Sequence, residues 1–146
     1  MAGHYSIPID FSSILQEKPE PLKKCSEVES IDQYLGLLLS TCPGEHKFDP
    51  EWGCKIWEQD FKLITARIKW ETWCATVIAE MIKRYEYRLC NVKVEAKIMD
   101  IVKEEKLFNT STIRKRLDVN VDALLVSNGD PCRFYYKIYM GPICVE

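Results

Sequence analysis

The order of periodicities along this chain predicts an α+β fold, with N-terminal helices packed on a three- to four-stranded antiparallel meander sheet. Three observations lead there. Up to Tyr85, apolar residues recur at three- and four-residue steps, the spacing of a helix with one buried face. From Val92 onward they alternate with polar residues, the period of a half-buried strand. The change between the two periods takes only a few residues, Tyr85-Glu86-Tyr87-Arg88-Leu89-Cys90-Asn91, so helices come first and strands follow. The chain has 146 residues, 47% apolar and 29% charged, which suits one soluble globular domain with a single core.

Residues 1–29 read as an extension, polar and interrupted by Pro8, Pro19 and Pro21. Its one apolar cluster, Ile9, Phe11, Ile14 and Leu15, is expected to dock on the core or on a neighbour. Residues 30–146 form the domain. Ser30 followed by Gln33 has the form of a capping box, and Ile31, Leu35, Leu38, Leu39 and Cys42 mark one stripe, predicting a helix over Ile31–Thr41. Pro43-Gly44 ends it. Asp49 before Pro50 is placed to cap a short helix through Ile56, Trp57 and Phe61. A second, long helix is expected from about Lys62, with Ile68, Trp73, Cys74, Val77, Ile78, Met81, Ile82 and Tyr85 inward.

Val92, Val94, Ala96 and Ile98 then alternate with Lys93, Glu95, Lys97 and Met99 in a first strand. Lys103 to Thr112 reads as a charged hairpin tip. Ile113 to Val126 reads as a second strand with Leu117, Val119, Val121, Ala123 and Leu125 on one face. Ser127-Asn128-Gly129-Asp130-Pro131 is a tight-turn signal, since Asn-Gly accepts positive backbone angles. The last strand, Cys132 to Met140, puts Phe134, Tyr136, Ile138 and Met140 on one side and Tyr135 and Tyr139 on the other.

The formal net charge is −2, without the basic surplus that phosphate binding requires, so neither nucleic acid nor an anionic membrane is an expected partner. A local patch at Arg114, Lys115 and Arg116 stays open. Neither a secretory signal nor a membrane-spanning apolar run is legible, and the seven scattered cysteines suit reduced, buried thiols, which together point to the cytoplasm. The two histidines, His4 and His46, lie in no nucleophile motif, and the glycines form no phosphate loop. No cofactor, metal or small-molecule substrate is expected. Two-carboxylate glycoside hydrolysis would need carboxyl groups about 5–9.5 Å apart across a cleft. Glu80 and Glu86, six residues apart on a helix, do not face the same side, so surface acids and a non-enzyme are expected.

Aromatic area exceeds the need of one small core. Tyr135 and Tyr139 point to a protein interface, whereas Trp52 and Trp57 suit core and interface equally, and Trp73 lies on the core stripe. Glu86 and Arg88 stand at the element boundary, where they can pair together, cap the helix or bind a partner.

Several segments in order carry a resemblance: Ile31-Asp32-Gln33-Tyr34-Leu35, Leu37-Leu38-Leu39, Thr41-Cys42-Pro43-Gly44-Glu45, Pro50-Glu51-Trp52-Gly53-Cys54, and Tyr85-Glu86-Tyr87-Arg88-Leu89 leading into Val92-Lys93-Val94. Over roughly Ser30 to Met140 the chain resembles the small baseplate-wedge proteins of contractile phage tails, whose type VI secretion counterpart is called TssE. In that family the corner reads Glu-Pro-Arg; Glu86 and Arg88 match, and Tyr87 replaces the proline. Members carry an inherited lysozyme label that this chain's residues do not support.

The resemblance implies a structural subunit, bacterial and cytoplasmic, partnered by other wedge subunits and by the sheath protein, and templating the first sheath ring by strand addition. It implies partner-binding roles for Glu86, Tyr87, Arg88, Trp52, Tyr135 and Tyr139, with the last strand as the candidate edge. Reversing the charge of Arg88 is then expected to stop assembly while the domain stays folded. The fold also resembles a small bacterial anti-adaptor that blocks delivery of a transcription factor to a protease, so a regulatory binding module is the alternative.

Overall fold

In the computed structural model, which describes residues 3–58, 66–105, 107 and 110–140, two helices lie on one face of a three-stranded antiparallel sheet. Two short strands, β1 (His4–Tyr5) and β2 (Lys24–Cys25), pair with each other. They precede α1 (Glu27–Ser40) and α2 (Arg67–Tyr85). The main sheet follows as β3 (Leu89–Glu105), β4 (Thr110–Leu125) and β5 (Pro131–Met140), in the order β3-β4-β5.

Helix α1 starts one turn earlier than the Ser30 signal suggests. Ser26 is the N-cap: its hydroxyl accepts from the Glu29 N–H at 3.2 Å, and the Glu29 carboxylate accepts from the Ser26 N–H at 2.9 Å. This box satisfies two free donors at once. Gln33 serves the extension instead, accepting from the Ile7 N–H at 3.0 Å, which tethers the β1 segment to α1. After α1 the chain doubles back through Gly53, at φ +134°, where a Cβ would fall 2.7 Å from the Thr41 carbonyl oxygen. Asp49 organises this turn, accepting from the Glu51 N–H, and a short 3-10 turn, Lys55–Glu58, closes the described part of the segment. Phe61 and the expected Lys62 start of the long helix lie outside the described residues.

Along α2, Cys74, Ile78, Met81 and Ile82 are buried, with Trp73, Val77 and Tyr85 half-buried on the flanks. Ile68 was expected inward but is 78% exposed. Six residues before Cys74, it sits roughly 240° around the helix from the buried stripe at 3.6 residues per turn. A Cβ at Gly36 of α1 would make only an ordinary 3.9 Å contact with the Tyr136 ring.

Strands β3 and β4 are paired from Leu89↔Leu125 to Glu105↔Thr110, with one register shift near the start, and therefore run well into the stretch expected to be a hairpin tip. Charged and hydroxyl residues weaken a buried strand, but a two-stranded ribbon in water is held by its backbone ladder. Near its start β3 bulges between Cys90 and Lys93, where Asn91 takes φ 51°, a conformation asparagine tolerates. On β4 the alternation holds throughout: Leu117, Val119, Val121, Ala123 and Leu125 are all buried, under α1 and α2 and beside Phe134 and Ile138 of β5. Cys54 and Cys74 lie in this core, and burial pushes their thiols up to about 11 and about 12. Among the described residues no helix is long and apolar enough to cross a membrane.

Candidate functional site

The helix-to-strand corner is built by Glu86 and Arg88. Helix α2 ends when the Glu86 N–H donates to the Ile82 carbonyl at 2.8 Å and the backbone turns extended at Glu86. That turn carries the Glu86 side chain inside, to 1% exposure. A carboxylate there is tolerable only when fully paired. Arg88 supplies the pairing. Its backbone N–H and Nε donate to Oε1 at 3.1 and 2.8 Å, and Nη2 donates to Oε2 at 2.8 Å. The remaining arm of the guanidinium, Nη1, donates to Ser30 Oγ of α1 at 3.0 Å. The Arg88 carbonyl accepts from the Val126 N–H at 2.9 Å, just past β4. One arginine thus ties α2, α1 and the sheet together. The bond to Glu86 holds the guanidinium above its ordinary value, so it is charged at every accessible pH. Tyr87, between the pair, stands outside at 85% exposure.

The other expected site residues occupy two separate places. Trp52 is half-buried against the core, its indole N–H donating to the Tyr34 hydroxyl at 3.2 Å and its ring lying 5.2 Å from that of His46. Trp57 is likewise packed inward, donating to the Leu39 carbonyl at 2.7 Å. The exposed aromatic of this loop is Phe48, at 86%. Glu51 next to Trp52 pairs with Arg84 on the last turn of α2, which brings the loop beside the corner. Tyr135 and Tyr139 lie elsewhere, exposed on the sheet face that no helix covers among the described residues. Of the local basic stretch, the side chain of Arg114 lies outside the described residues, Lys115 and Arg116 are strand neighbours on opposite faces, and Arg116 is engaged by Asp118.

The two edges of the sheet differ. On β3, the Ile98 N–H donates outward to the Glu71 carboxylate of α2 at 2.8 Å, and Asp100 pairs with Arg67 at 3.0 Å. Helix α2 thus occupies that edge with side chains. Among the described residues nothing outside β4 bonds to the backbone of β5. Sequence reasoning missed Glu71, because a helical glutamate gives no local sign that it will reach a strand amide 27 positions later. It also missed Ser30 as the partner of Arg88, having read it as a helix cap.

Glu80 is exposed and lines a small cavity with Glu51, Lys55 and Arg84, while both Glu86 oxygens are taken by Arg88. These two carboxylates therefore do not face each other across a cleft.

Residues 25–129 match the family model described as baseplate wedge protein gp25. A protein of Geobacter sulfurreducens provisionally called a tail lysozyme has a similar structure, at TM-score 0.56 and 18% identity over 80% of this chain and 94% of that one. A chain of the baseplate complex from the type VI secretion system is similar at TM-score 0.55 and 16% identity, over 77% of this chain and 92% of that one. Among curated proteins none matches by sequence.

Proposed function

The chain belongs to the family of the baseplate wedge protein gp25, and from that premise we propose that it templates sheath assembly by strand addition within a contractile injection machine. Its role is structural rather than catalytic, on the cytoplasmic side, among other wedge subunits and the sheath protein. The observation that carries this reading is the asymmetry of the sheet edges. Strand addition needs a row of unpaired main-chain groups. Strand β5 offers such a row, with its proline confined to the first position, while Glu71 blocks the opposite edge. The corner supports the same reading as a rigid mount: α2, α1 and the sheet are locked by Arg88, with Tyr87 presented outward to a partner.

Recovery of tagged protein from its native host, followed by mass spectrometry, tests the proposal. Sheath and wedge proteins are expected together. A single regulatory partner recovered alone would transfer the assignment to a regulatory binding module. Replacing Glu71→Ala should leave the Ile98 N–H without a partner, cost about 1–3 kcal/mol and open a second edge, read as self-association in sedimentation.

A further inference from the structure

The outer face of the sheet carries a charge pattern that the proposed function does not use. Strand register sets its side chains in four cross-strand rows. Two of them read positive, negative, positive: Lys93, Asp122 and Arg133, then Lys97, Asp118 and Lys137. Between them lie Glu95, Asn120 and Tyr135, and the last row is Met99, Arg116 and Tyr139. These rows hold five cations against three anions, on a chain whose formal net charge is −2.

The acids of the middle strand are already committed. Asp122 accepts from Arg133 Nε at 2.6 Å, and Asp118 takes both Nε and Nη2 of Arg116, at 2.7 and 3.1 Å. Lys93, Lys97 and Lys137 are therefore left on the exposed flanks without an ion-pair partner among the described residues. Lys137 Nζ lies 5.8 Å from the centroid of the Tyr135 ring. At one end a groove of about 650 Å³ opens between Asn91, Lys93, Asp122 and Arg133.

Resting on the wedge-subunit reading, we propose that this face docks an acidic surface of a partner protein, seated on Tyr135 and Tyr139 and held by Lys93, Lys97 and Lys137. Lysines flanking exposed aromatic groups suit carboxylates with an apolar centre. The formal net charge of −2 lacks the surplus of cations with which a polyphosphate partner is usually bound.

Fluorescent poly-L-glutamate titrated into the full chain tests this. Binding should weaken at least tenfold in K93E/K97E/K137E and on raising salt from low to physiological strength. The control K18E/K23E/K83E, exposed lysines elsewhere with the same charge change, should bind as the native chain does. Should charge reversal perturb folding by circular dichroism, K93Q/K97Q/K137Q carries the same test. Equal loss in the control, unchanged binding in the outer-face variant, or competition by oligothymidylate as strong as by polyglutamate would each overturn the proposal. Unchanged polyglutamate binding in the outer-face variant leaves the wedge reading intact. A native chain that recovers no baseplate proteins defeats the wedge reading and leaves the binding result standing.

Discussion

Two arginine–carboxylate pairs in this molecule have the same sequence spacing and nearly the same geometry. Glu86 and Arg88 form a two-pronged pair at 2.8 and 2.8 Å, Arg116 and Asp118 another at 2.7 and 3.1 Å. On an extended chain, residues two apart share a face, so both contacts are local and cheap to form. Their surroundings differ. The corner carboxylate is cut off from water and the arginine reaches on to Ser30 of α1. The sheet pair lies on the face that no described helix covers, and its further bonds, from the Tyr135 hydroxyl to Asp118 and between Arg116 and Tyr139, stay within the sheet. The chemistry of a pair therefore does not decide its weight: burial and a partner in another layer of the fold do. The corner pair holds tertiary structure, whereas the sheet pair shapes a surface charge pattern.

The largest expected effect is at Arg88→Ala, which strands a buried carboxylate and should lower unfolding free energy by about 3–5 kcal/mol in urea titration. Arg88→Glu would place two carboxylates together in the same corner. It should therefore unfold the domain rather than merely stop assembly, contrary to the expectation drawn from sequence. Ser30→Ala should cost about 1.5–3 kcal/mol, the weight of one hydrogen bond to a charged donor. A loss indistinguishable from zero would mean that α1 is held at the corner by packing alone.

Alkaline titration separates the pair from the core around it. The thiols of Cys54 and Cys74 have folded values raised above 9.0, so the folded state favours their neutral forms. Their contribution is complete below pH 9 and is lost as pH rises toward about 11 and about 12. Arg88 stays charged over that range. Stability should therefore decline above pH 9, and the decline should flatten in the Cys54→Ala/Cys74→Ala variant while persisting in Ser30→Ala. The smallest effect is expected at Arg116→Ala, because Asp118 keeps the Tyr135 hydroxyl as a donor, and the urea midpoint should stay within experimental error. A clear fall there would remove the distinction between the two pairs.

What could be read in the sequence follows from the range of the interactions. The buried stripe of α2 and the alternation on β4 depend on neighbours a few residues away, and Cys74, Ile78, Ile82, Leu117, Val119 and Val121 fell where periodicity put them. Glu86 and Arg88 were legible as a boundary pair for the same reason. Ser30 and Glu71 were not, because their partners lie 58 and 27 residues away and a serine or glutamate in a helix has many local uses. The helix start was misplaced because Ser26 and Ser30 both offer a plausible cap, and only Ser26 has a glutamate three residues on. The hairpin length was missed because polar residues in a strand signal exposure as readily as they signal a turn.

The Glu71 cap on the Ile98 amide also sets a valence. A sheet with two free edges is divalent and, given copies of itself, grows into a fibre. With one edge engaged by its own helix, the sheet leaves, among the described residues, the β5 edge alone for an added strand, a valence of one. On the proposed strand-addition reading, a univalent unit begins a stack without extending one through itself, and its copy count rather than its concentration would set the number of stacks begun.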